Sequence, residues 1–63
     1  MDIKKICHIR GIKMKDVAER AGMTVPNLGI IMRRNPTLKR IKAVAEAIGI
    51  PPEELVKELL SED

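Results

Sequence analysis

Apolar residues recur along this chain every three or four positions and never every second one, a pattern that predicts helices and no strands. Ile3, Ile6 and Cys7 set a first helix over about residues 2–10, stopped by Gly11. Lys13–Ala21 follows, with Val17, Ala18 and Ala21 on one face and Gly22 just past its end. A helix C-terminus favours a left-handed residue there, which glycine adopts without strain. Thr24 reads as the N-cap of a third helix, with Pro26 in the first turn, where a missing N–H is harmless. That helix runs to about Arg33 and buries Leu28 and Ile31. Asn35-Pro36 turns the chain, because a residue before proline is pushed out of the helical region. Thr37 caps a fourth helix, whose inward stripe is Leu38, Ile41, Val44, Ala45 and Ile48 and which Gly49 ends. Pro51-Pro52-Glu53-Glu54 opens a fifth, with carboxylates on the positive end of its dipole. Leu55, Val56, Leu59 and Leu60 return its apolar face to the core.

Composition narrows what five short helices can do. A length of 63 residues allows a single domain, residues 1–63. With no Phe, Tyr or Trp, the core is aliphatic and there are no platforms on which unpaired bases could stack. Single-strand binders and RNA-recognition sheets are excluded on that ground. Cys7, the one cysteine, forms no internal disulfide and no cysteine metal cage, and it reads as a small residue near the core. The charged N-terminus up to Arg10 is no signal peptide and no segment approaches a membrane span, so a cytoplasmic protein is expected. Catalysis finds no support. His8 is the one histidine and reads as a surface residue, Ser61 is the one serine, no glycine-rich phosphate loop exists, and adjacent Glu53 and Glu54 diverge on a helix. No metal, cofactor, small-molecule substrate or membrane partner is expected. Met23 belongs in the turn, whereas Met14 and Met32 fit either core or surface.

Charge changes the picture most. Up to Lys42 there are eleven cations against three carboxylates, a net +8, whereas Ala43 onward carries −5. The overall +3 therefore hides a basic first two-thirds and an acidic tail, a division that favours a polyanion-facing side. Lys39 and Arg40 sharpen the point, for they stand in the first turn of the fourth helix, where cations oppose the dipole. That placement makes sense if the helix end faces phosphate.

Ala18, then Gly22 four residues on, then Leu28 and Ile31, is the spacing of a helix-turn-helix. A small residue at Ala18 lets the helices cross closely, Gly22 makes the turn, and Leu28 and Ile31 pin the third helix with its outer side clear. The stretch from Met14 to Ile31 resembles the motif of the lambda-repressor and Cro-like (XRE-type) helix-turn-helix regulators. The following Asn35-Pro-Thr-Leu, Ile41, Ala45, Ala47-Ile48-Gly49-Ile50 and Glu54-Leu55 resemble that family's closing helices. The resemblance implies a compact all-α, five-helix domain, with its helix-turn-helix over about 14–33 and its recognition helix over about 24–33. It implies sequence-specific double-stranded DNA binding through the major groove, of the transcriptional-regulator type.

Carried over residue by residue, Val25, Pro26, Gly29, Ile30 and Arg33 would face the groove, with Thr24 and Asn27 near its edge. Lys15, Arg34, Asn35, Thr37, Lys39 and Arg40 would meet phosphate. The family usually has glutamine at Met14, polar residues at Val25, Pro26 and Ile30, and often glycine at Arg34. Hydrogen-bond readout here would rest on Thr24, Asn27, Arg33 and Arg34, while apolar residues can touch a thymine methyl. Such a reading head also suits a domain redesigned for one target. Two-fold dimers are implied as well, with Val56, Leu59 and Leu60 either supplying the dimer face or closing the core. The alternative is a protein-interaction module, with Val25, Pro26, Ile30 and Met32 as an exposed apolar strip.

Overall fold

The computed structural model describes residues 2–34 and 36–61. Among them the chain forms five α-helices and no strand: α1 Ile3–Ile9, α2 Met14–Arg20, α3 Val25–Arg33, α4 Leu38–Ile48 and α5 Pro52–Leu60. Several of their ends have a local reason. Asp2 caps α1, its carboxylate accepting the Lys5 N–H at 2.9 Å, a cap that helical periodicity alone did not reveal. Thr24 and Thr37 do the same for α3 and α4, each hydroxyl oxygen accepting the N–H three residues on at 3.3 Å. Gly22 ends α2 with φ +73°, and the chain folds back so that Met23 N–H reaches Ala18 C=O at 2.9 Å. The left-handed residue permits that return bond, which satisfies a carbonyl the helix leaves open. Gly11 and Gly49 end α1 and α4 in the same way.

Packing joins α2 to α4, α4 to α5, and α3 to both α1 and α2. Ile3, Ile6, Val17, Leu28, Val44 and Leu55 form the fully buried aliphatic centre, with Ala18 and Ala45 where a small side chain lets helices approach. Half-buried Ile12, Met14, Met23, Ile41, Ile48 and Leu59 close over it. The radius of gyration is 10.1 Å, close to the ~10.6 Å of a packed chain of this length. Two polar ties hold the periphery: Arg20 donates to the Ala47 carbonyl near the end of α4, and Arg10 after α1 pairs with Glu58 and, at 4.0 Å, with Glu54 on α5.

Leu38 and Leu60 depart from the sequence expectation, and α3 decides the place of Met32, which the sequence left open. Leu38 is 64% exposed rather than inward, because α4 buries only its later residues Val44, Ala45 and Ala47, and its first turn projects past the core. Leu60 is 77% exposed. At 100° per residue it lies about 140° around α5 from the buried Leu55. In α3, Met32 is buried at 6% exposure, whereas Ile31 is half-buried. The two flank Leu28 on the helix wheel at about 40° and 60° respectively, and the nearer one takes the core place.

Candidate nucleic-acid interface

Burial of Leu28 and Met32 fixes the roll of α3, and that roll decides what α3 shows outside. Arg33, Pro26 and Ile30 fall about 140–200° from Leu28 around the axis, the side turned furthest from the core. All three are exposed, and Gly29 beside them is half-exposed. Val25, in the first turn, is 39% exposed and Ile30 48%. Asn27 is exposed on the opposite flank, and Thr24 at the helix start is exposed too, its oxygen engaged in the cap. A hydroxyl that accepts in this way still has its hydrogen to donate.

A notch of about 300 Å³ lies along this face. Val25, Pro26, Gly29 and Arg33 line it from α3, Ile3 and Lys4 from α1 with the cap residue Asp2, and Met14 from the start of α2. Arg33 bends back over its own helix, donating from Nε to the Gly29 carbonyl at 3.2 Å. Lys4 was not among the residues picked out from the sequence as a contact. The packing of α1 on α3 brings it there, and its share in the basic count was the only signal along the chain. Met14, open to either reading beforehand, packs on the core and lines the notch.

The cations expected at phosphate stand on separate elements. Lys15 is exposed in the first turn of α2, and Arg34 is exposed where α3 ends. Thr37, Lys39 and Arg40 are exposed at the start of α4, lining a second shallow depression with Ala21 and Met23 of the helix-turn-helix link. Asn35 lies outside the described residues. Among the described residues, Lys15, Arg34, Lys39 and Arg40 have no carboxylate partner, whereas Arg10 is paired with α5. The first turn of α4 contains no acidic residue, in contrast to α5 with Glu53 and Glu54.

Other chemistry is sparsely provided for. Among the described residues no three metal-ligating side chains gather, and no helix is long and apolar enough to cross a membrane. Cys7 is buried, and burial pushes its thiol above the ordinary value of 9.0. A raised thiol pKa makes it a weaker nucleophile at neutral pH, as befits a packing residue.

Searches of curated proteins and of solved structures give no match. A family profile described as the Cro/C1-type HTH DNA-binding domain matches residues 2–57, which takes in every helix but the last turn of α5. That span includes the capped third helix, its cationic flanks and the core that fixes its roll, and so the chain belongs to the Cro/C1-type helix-turn-helix DNA-binding domains.

Proposed function

We propose that this domain is a sequence-specific duplex-DNA binder of the transcriptional-regulator type, with α3 laid in the major groove. The observation that carries this reading is the roll of α3, which buries Leu28 and Met32 and leaves Pro26, Ile30 and Arg33 outward, on a domain whose Lys15, Lys39 and Arg40 are exposed and, among the described residues, without a carboxylate partner. Val25, Pro26, Gly29, Ile30 and Arg33 address base edges, with Thr24 and Asn27 at the margin. Lys15, Arg34, Asn35, Thr37, Lys39 and Arg40 address the backbone. Phosphate contacts of this kind set register and affinity, and base contacts set sequence preference. The reading includes a two-fold dimer. Exposed Leu60 borders a groove of about 350 Å³ with Val56 and Leu59, at whose edge Arg33 and Arg34 also stand, and two-fold dimers of such domains read half-sites about one helical turn apart.

Fluorescence anisotropy against random-sequence duplex across a salt series tests the reading. Log affinity is expected to fall linearly with log salt, with a slope of about −0.9 per phosphate neutralised. The exposure of Val25 and Ile30 supports a second reading, in which the strip with Pro26 receives a protein partner. Met32, being buried, has no part in that strip. Absence of duplex binding at low salt would overturn the first reading in favour of the second.

A further inference from the structure

Gly29 lies in the middle of α3, and nothing within the fold calls for a glycine there. Its φ is not positive, and a Cβ built on it would meet only Arg33 Nη2, at 3.7 Å, an ordinary contact. Mid-helix glycine weakens a helix relative to alanine, through its greater freedom in the unfolded chain. The missing side chain opens the wall of the notch between Val25, Pro26, Met14 and Arg33. The opening is lined by the apolar side chains of Ile3, Met14, Val25 and Pro26 together with three charged ones, Lys4, Arg33 and Asp2, whose carboxylate is engaged in the α1 cap.

We propose that this notch seats the C5-methyl group of a pyrimidine in the major groove, with Gly29 as the residue that sets the preference. The inference rests on the duplex-binding reading above. Its physical basis is that the major-groove edge of a base pair is polar except for that methyl, which needs an apolar seat. Val25 and Pro26 supply the seat, the absent Cβ at Gly29 supplies the depth, and Lys4 and Arg33 outnumber the one carboxylate there, Asp2. Thymine carries the methyl, and so does 5-methylcytosine.

The full chain first selects duplexes from a random-sequence pool. Each thymine of the selected duplex is then replaced in turn by deoxyuridine, which removes the methyl alone. Replacement at the notch position is expected to weaken binding about four-fold, from about 0.8 kcal/mol per buried carbon. Gly29→Ala is expected to raise the thermal midpoint, which shows that the chain is folded, and to bring the thymine-to-uracil ratio to about one. At the same position, cytosine against 5-methylcytosine distinguishes the sources: a gain on methylation shows that either pyrimidine serves, and no gain restricts the notch to thymine. Deoxyuridine tolerated at every position, or a Gly29→Ala chain that still prefers thymine, overturns the proposal while the duplex-binding reading stands. A chain that binds no duplex at low salt overturns both.

Discussion

Arg33 and Arg34 are neighbours in sequence, yet the structure places them differently. Arg33 is on the outward arc of α3 with its Nε tied to the Gly29 carbonyl, so its terminal nitrogens are presented beside the notch. Arg34 is the residue where α3 ends, its N–H bonded to the Ile30 carbonyl at 3.1 Å and its side chain exposed. A guanidinium held against a helix is partly pre-organised, which suits bidentate contact with a guanine edge. Arg33→Ala is expected to weaken the selected duplex by about 1–3 kcal/mol and to relax preference at one base pair. Arg34→Ala is expected to weaken all duplexes alike and to lower the salt slope by about one. Affinities of both variants for selected and random duplexes check this, and an equal loss on all sequences for Arg33→Ala would place it on phosphate instead.

At the scale of the element, α4 is built against its own dipole. Lys39 and Arg40 occupy its first turn, each a few tenths of a kcal/mol unfavourable there, and Thr37 offsets this by capping the Arg40 N–H. Thr37 thus has a structural duty that is visible and a phosphate contact that is proposed. The two separate by substitution. Thr37→Ala is expected to lower stability by about 1 kcal/mol, the usual worth of such a cap. Thr37→Asp keeps a capping oxygen and adds a favourable charge at the helix start, so stability is expected to hold or rise while duplex affinity falls. Urea unfolding and anisotropy on the same two variants read out the difference; undiminished binding by Thr37→Asp would remove Thr37 from the interface.

The molecule as a whole is held by an aliphatic centre to which every helix contributes, and α1 is sealed onto it by Ile3, Ile6 and Cys7. Burial of the thiol links that seal to pH. The folded chain keeps the Cys7 proton to a higher pH than the unfolded chain does, because desolvation penalises the thiolate. Stability from this source is therefore complete below the ordinary thiol value of 9.0 and is lost as pH rises through the higher folded value. Cys7→Ala is expected to show a shallower loss of stability above that pH than the parent chain, measured by urea midpoints across an alkaline series. Equal slopes for the two chains would mean that the thiol ionises alike in both states.

Much of this was legible along the chain. Gly22 and Gly49 marked helix ends, Thr24 and Thr37 marked helix starts, and Val17, Leu28 and Val44 marked the core, because capping and periodicity act over three or four residues. The spacing from Ala18 to Ile31 carried the family for the same reason, being a local turn between two helices. Tertiary packing decided the rest. Burial of Leu38 depended on how far α4 reaches past the core, that of Leu60 on which side of α5 Leu55 turns inward, and the choice of Met32 over Ile31 on the angle at which α3 meets the core. Lys4 reached the outward side of α3 only because α1 folds back on α3, and the notch around Gly29 exists only where three helices converge. Local sequence fixes dihedral angles and hydrogen bonds within a turn, whereas a surface shared by distant segments appears only after the chain has closed on its core.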